Sequence, residues 1–413
     1  MQRYLQSRYA SVLGLIELQR KHSFIAALIV CMSMLVANLA AQAAELPLVE
    51  KQEFQTSNFT TYGGEIIPEV RVGWEAYGEL NEAKDNAILI THFFSGNSHA
   101  AGRYSEEDSQ PGYWDAIIGP GKAIDTNKFY VISVDTLVNQ EPTNPNVITT
   151  GPATINPATG KPWGLDFPVV TIRDFVNVQK LVIDSLGIEK LHAVIGASMG
   201  SLQALDWAAA YPDRVERMIS VIGMGEADPW TIASLQQWAN PIVNDPNWND
   251  GNYYDGEAPL AGLEQTLGMI TLTAMHPLII NQLYAGSSAR EEAPLRDIRS
   301  NFMVVEQLQA AAKLRATYAD ANHILYLVRA NQLFMAGYAE NLEKGLENVT
   351  AKTLFLPATN DLLLQPYLAK RAHEVLLAHG VASEYAEIEG PWGHLDGVFN
   401  IQLQADLIQE FLN

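Results

Sequence analysis

The chain has 413 residues, 48% of them hydrophobic, and a formal net charge of −21. That is enough apolar material for one large domain with an insertion, and a surface this acidic repels nucleic acid and anionic lipid headgroups. The single cysteine, Cys31, lies in an N-terminal apolar run, so the remainder carries neither a disulfide nor a thiol nucleophile. No His/Glu or Cys pattern has metal-ligand spacing and no glycine-rich loop has the form of a phosphate cradle, so neither metal nor cofactor is expected.

The first 43 residues read as a removable signal peptide. A basic leader (Arg3, Arg8, Arg20, Lys21) precedes an uncharged apolar run from Phe24 to Leu39 and the small-x-small site Ala41-Gln42-Ala43. The run is 16 residues long, short for a spanning helix. The expectation is export to the periplasm or beyond, with no stable membrane insertion after cleavage. An uncleaved N-terminal membrane anchor is the alternative, because the leader is long.

Runs rich in β-branched and aromatic residues then predict strands at Glu69–Tyr77, Asn86–Phe94, Phe129–Asp135, Leu191–Ile195, Met218–Ile222, Lys352–Leu356 and Glu384–Ile388. Between several of them lie helix-period segments. Thr171–Leu186 opens on the start signal Thr171 and Asp174, Met199–Tyr211 is closed by Pro212, and Pro366–His379 is closed by Gly380. This alternation predicts an α/β fold with a mostly parallel central sheet flanked by helices. Residues 225–349 break the alternation. Helical patterns at Trp230–Val243, Leu260–Thr273, Ile298–Thr317 and Ala321–Leu346, with no convincing strand, predict an inserted helical lid, leaving 44–224 and 350–413 as the core.

The chemistry starts at Gly196-Ala197-Ser198-Met199-Gly200, a G-x-S-x-G run between a predicted strand and a predicted helix. Glycines two residues either side of the serine let strand and helix backbones pass closely while Ser198 presents a strained, exposed hydroxyl. A serine hydroxyl is a weak nucleophile and needs an imidazole base, itself oriented by a carboxylate. Of nine histidines, His394 in Gly390-Pro391-Trp392-Gly393-His394 directly follows the last predicted strand. Asp361, beyond the strand Lys352–Leu356, is the sole acid between Glu347 and Glu374. Two backbone N–H groups should face the oxyanion: that of Met199 in the elbow and that of Phe94 in the turn after Asn86–Phe94.

The chain resembles the homoserine O-acetyltransferase family, a branch of the α/β-hydrolase fold, from about residue 60 onward. The likeness rests on His92–Gly102, on Trp114-Asp115 leading into Ile118–Thr126, on Gly151–Gly164, on Phe167-Pro168 with Thr171–Asp174, and on the elbow running through Gln203–Trp207. It implies Ser198, Asp361 and His394 as a triad, an acyl-serine intermediate discharged in a ping-pong cycle, and a homodimer. The family carries an arginine ahead of an Asp-Pro-x-Trp segment and an aspartate directly after the catalytic histidine. Here Asp245-Pro246-Asn247-Trp248 is present, but no Lys or Arg occurs from Met218 to Ala289, and Leu395 stands before Asp396.

With water available outside the cell, these departures favour an exported ester hydrolase acting on a neutral or cationic small-acyl ester. The alternative is an O-acyltransferase moving an acetyl or other acyl group to an alcohol acceptor. Either way the partners are a small-molecule ester or acyl donor, with His99, Trp238 and Asp396 as candidate substrate-binding side chains.

Overall fold

Five-residue apolar runs buried along nearly their whole length can only be central strands with both faces covered. In the computed structural model, which describes residues 46–285 and 292–413, they form an eight-stranded sheet. Its strands are β1 (Gln52–Thr60), β2 (Ile66–Tyr77), β3 (Ala87–Thr91), β4 (Tyr130–Val134), β5 (Ala193–Ala197), β6 (Arg217–Val221), β7 (Lys352–Leu356) and β8 (Ser383–Tyr385). The expected leader, with its cleavage site and Cys31, lies outside the described residues.

The spatial order is β1-β2-β4-β3-β5-β6-β7-β8. β1 and β2 pair antiparallel, as do β2 and β4; every other neighbour pair is parallel. β1 was not expected. Its Gln-Glu-Phe-Gln-Thr-Ser-Asn-Phe-Thr sequence offers two apolar side chains, Phe54 and Phe59, enough for an edge strand solvated on one side but too few to show as a hydrophobic run.

Alternate residues of each central strand feed opposite layers. Leu89, Ile132, Val194 and Met218 meet Phe175, Val178 and Val182 of α1 (Ile172–Ser185) and Leu202 and Leu205 of α2 (Met199–Ala210). Ile88, Ile90, Val131, Ile195 and Ile219 meet Trp114, Ile117, Ile408 and Phe411 on the other side. Each such side chain contributes about 1.5–3 kcal/mol by leaving water. α1 begins where its capping box predicts: the Thr171 hydroxyl accepts from Asp174 N–H, and the Asp174 carboxylate accepts from Thr171 N–H at 2.7 Å. Arg173 then clamps α1 to α2 through a bidentate pair with the fully buried Asp206, at 2.6 and 2.9 Å.

The chain between β6 and β7 is helical. It contains α3 (Pro229–Val243), α4 (Leu260–Ala274), α5 (Pro277–Leu283), α6 (Met303–Arg315) and α7 (Ala321–Gln332), followed by α8 (Pro366–Ala378) beyond β7 and α9 (Ala405–Leu412). The expected Ala321–Leu346 helix stops at Gln332. Gly337 at φ +74° and Tyr338 at φ +50° turn the chain out of helical geometry before a short helix at Leu342–Leu346. Among the described residues no helix is long and apolar enough to cross a membrane.

Candidate active site

β3 has β4 on one side and β5 on the other, so the connections leave it in opposite directions. Such a switch point opens a crevice at the carboxyl ends of the strands. Both the elbow after β5 and the loop after β3 end there.

Ser198 bridges β5 and α2 at φ +55°, ψ −123°, a strained conformation for a residue with a side chain, costing on the order of 1–3 kcal/mol. Its surroundings enforce it. Ser198 N–H donates to Val221 O at 2.9 Å, and its carbonyl accepts from Ser201 N–H at 2.8 Å and from the Ser201 hydroxyl at 2.6 Å. Neither flanking glycine has a positive φ. They are needed for clearance: a Cβ at Gly196 would collide with Gly200 O and the Thr91 hydroxyl, and a Cβ at Gly200 with Thr91 O, each closer than 3.0 Å.

β7 and β8 deliver the partners. His394 Nδ1 lies 2.6 Å from Asp361 Oδ2 and Nε2 lies 2.7 Å from Ser198 Oγ. The other Asp361 oxygen accepts from Leu363 and Leu364 N–H at 2.8 and 2.9 Å, which leaves Oδ2 to the ring. Facing a carboxylate, Nδ1 carries the proton, and Nε2 is then the acceptor for the serine hydroxyl. All three residues are buried, at 8%, 2% and 5% exposure for Ser198, Asp361 and His394. The arrangement can take a proton from the hydroxyl as it attacks a carbonyl.

The loop after β3 is fixed from two sides. His92 Nδ1–H donates to Phe93 O at 2.8 Å and Nε2 accepts from Thr136 N–H at 3.1 Å, while Gln203 of α2 donates to His92 O and Met199 O at 3.2 and 3.1 Å. Burial pushes His92 below the ordinary histidine range, in keeping with a neutral ring that accepts at Nε2. Among the described residues Phe94 N–H has no protein acceptor. Met199, first residue of α2, carries one of the N–H groups that a helix start leaves without an internal partner.

The three expected substrate-binding side chains have separate fates. Trp238 of α3 packs edge-on against Phe94, ring centroids 5.5 Å apart. Asp396 faces its own loop: one oxygen accepts from Trp392 and Gly393 N–H at 3.0 and 2.9 Å, the other from Asn400 at 2.6 Å. That carboxylate shapes the turn carrying His394, and burial pushes its pKa up. His99 turns to the sheet edge, 3.0 Å from Glu75 and stacked on Tyr104.

Sequence reasoning missed the cluster that receives His99. Glu75 is fully buried in β2, 2.7 Å from Lys51 and 2.6 Å from the Tyr104 hydroxyl, and Asp135 accepts from Ser98 N–H at 2.7 Å. Burial alone would raise the Glu75 pKa, but His99, Lys51 and Tyr104 together hold it down to about 2. The available signal was a lone acid inside the apolar stretch Gly73-Trp74-Glu75-Ala76-Tyr77.

A family model described as alpha/beta hydrolase fold matches residues 149–400. The homoserine O-acetyltransferase of Methanococcoides burtonii is 38% identical over 336 residues, 81% of this chain and 68% of that protein. Among solved structures, esterase E22 superposes with a TM-score of 0.87 at 59% identity, covering 89% of this chain and all of that one. The homoserine O-acetyltransferase from Bacillus anthracis superposes with a TM-score of 0.86 at 38% identity, covering 89% and 98%. The expectation that ester hydrolysis is the main activity is overturned by the curated relatives, which carry the acetyltransferase name consistently. The esterase E22 structure leans the other way, but acyl transfer is the better supported of the two readings.

Proposed function

The chain belongs to the homoserine O-acetyltransferase family, on the α/β-hydrolase fold, and on that premise we propose that it moves a small acyl group from an activated ester donor to the hydroxyl of a small alcohol acceptor. Ser198 Oγ attacks the donor carbonyl as its proton passes to His394 Nε2, and Asp361 stabilises the imidazolium formed. The tetrahedral oxyanion faces the N–H groups of Phe94 and Met199. Collapse breaks the bond to the leaving group, which takes the proton from His394 and departs, leaving acyl-Ser198. The acceptor hydroxyl then gives its proton to the same imidazole and attacks the acyl carbon. Ser198 leaves, reprotonated.

The observation that carries this reading is the buried hydrogen-bonded relay, 2.7 Å from hydroxyl to imidazole and 2.6 Å from imidazole to carboxylate. The contact of Trp238, from the helical insertion, with the Phe94 ring supports an insertion that borders the site. The test supplies p-nitrophenyl acetate as donor and L-homoserine as first acceptor, with mass detection of the O-acetyl product. Acetylated acceptor in excess of free acetate is the expected result; free acetate alone with every alcohol tried would overturn the proposal.

A further inference from the structure

The two N–H groups assigned to the oxyanion belong to the peptides Phe93–Phe94 and Ser198–Met199. A trans peptide is planar, so its carbonyl and its N–H point in opposite directions, and whatever holds the carbonyl aims the N–H. No cis peptide occurs among the described residues. In the first peptide, Phe93 O accepts from His92 Nδ1–H at 2.8 Å and from Gly96 N–H at 2.9 Å. In the second, Ser198 O accepts from the Ser201 hydroxyl at 2.6 Å and from Ser201 N–H at 2.8 Å. Ser201 is fully buried, and a Cβ on Gly223 would lie closer than 3.0 Å to its Oγ, so the bare glycine leaves room for that hydroxyl. A hydrogen bond received by the carbonyl also polarises the amide, which makes its N–H a stronger donor.

One side chain spans both segments. Gln203 Nε2 has two N–H bonds to give. One goes to His92 O at 3.2 Å, just ahead of the Phe93–Phe94 peptide, and the other to Met199 O at 3.1 Å. The Gln203 amide is itself oriented, because its Oε1 accepts from Gln179 Nε2 at 2.6 Å and Gln179 Oε1 accepts from Trp207 Nε1 at 2.9 Å. An indole N–H can only donate, so it fixes which way the Gln179 amide faces, and Gln179 then fixes Gln203. All three side chains are buried. Donation runs one way, from Trp207 to the two carbonyls, and the spacing of the two oxyanion donors hangs on an amide that cannot flip without stranding its partners.

We propose that Ser201 and Gln203 are positioning residues for the oxyanion hole: Ser201 aims the Met199 N–H from behind its peptide, and Gln203 sets the separation between that N–H and the one on Phe94. Neither acts by touching substrate. A serine hydroxyl bonded to the carbonyl three residues back is an ordinary local motif. Here the carbonyl so held belongs to the peptide whose other end meets the reacting oxygen. The proposal rests on the acyl-serine reading above, with the roles it gives to Phe94 and Met199, so the two are tested apart.

Rapid mixing with p-nitrophenyl acetate gives two numbers: the amplitude of the p-nitrophenol burst counts competent sites, and its saturating rate constant reports acylation per site. Absence of a burst in the wild type removes the acyl-serine reading itself. With the burst present, Ser201→Ala and Gln203→Met should each keep the amplitude while acylation slows about tenfold, less than the roughly 10²–10³ lost with a donor outright. The ester concentration giving half the maximal burst rate should stay within about twofold of wild type, because the hole acts on the transition state more than on the bound ester. 1,1,1-Trifluoroacetone supplies an independent readout. Ser198 Oγ adds to its carbonyl carbon, the hydroxyl proton passes to His394 Nε2, and the carbonyl oxygen becomes an oxyanion with no leaving group to expel. Its inhibition constant should rise by the factor by which acylation slows. A lower Tm or burst amplitude with acylation per site unchanged would assign both residues to structure alone and overturn the proposal, as would weaker ester binding without a slower rate. Should one variant fail to fold, the other reads the same quantities.

Discussion

Around Ser198 the backbone itself is the packing material: β5, α2 and β3 cross so closely that two positions admit no Cβ, and the nucleophile is held between Val221 O and Ser201. The insertion between β6 and β7 meets the core through contacts that include the Phe94–Trp238 ring contact, the Arg315–Ser95 hydrogen bond, and a bridge pairing Met275 with Gly393, where His276 N–H reaches Trp392 O at 3.2 Å. The first region has one permitted geometry, while the Trp238 and Arg315 contacts of the second run through side chains that can be exchanged. Substitutions in the first should therefore act on the chemical step or on folding, and substitutions in the second on which molecule enters.

The largest expected effect sharpens that division. Ser198→Ala should lower kcat by about 10⁴-fold or more, because the nucleophile and base act as a unit; a p-nitrophenol burst of wild-type amplitude in this variant would break the comparison at its centre. Next comes Gly200→Ala, whose added methyl meets Thr91 O, a backbone atom that cannot swing aside. It should cost about 3 kcal/mol or more in urea unfolding, and a midpoint within error of wild type would show the crossing to be looser than described.

Glu75→Gln removes the charge that Lys51 and His99 share and should destabilise by about 3 kcal/mol at neutral pH, read as a lower Tm. The sign with pH follows from the depressed pKa. The wild-type contribution is complete above the ordinary value of 4.5 and is lost as pH falls from there toward about 2, since protons then bind the unfolded chain first. The variant should show a shallower acid slope in that window. The smallest effect belongs to the insertion: Trp238→Ala should raise KM severalfold while changing kcat less, and a kcat loss equal to that of a triad variant would place Trp238 in the chemistry.

Much of this was legible because chain order and strand ends constrain geometry strongly. Knowing that Ser198 follows one parallel strand, Asp361 another and His394 the last places all three at one edge of the sheet. Side-chain direction was not legible in the same way. Asp396 sits two residues past His394, close enough to suggest a role beside substrate, but its carboxylate turns inward because two loop N–H groups and Asn400 satisfy it there. His99 is taken by Glu75, a contact across 24 residues that no local pattern announces. The preference for hydrolysis failed for a related reason. Water and an alcohol discharge an acyl-serine by the same steps, so the triad does not distinguish them.

The pairing of Met275 with Gly393 ties the segment between α4 and α5 to the residue just before the base. The loop that carries the imidazole is thus steadied by the insertion as well as by the strand it follows, so a substitution in that segment reaches the base through a single residue of backbone.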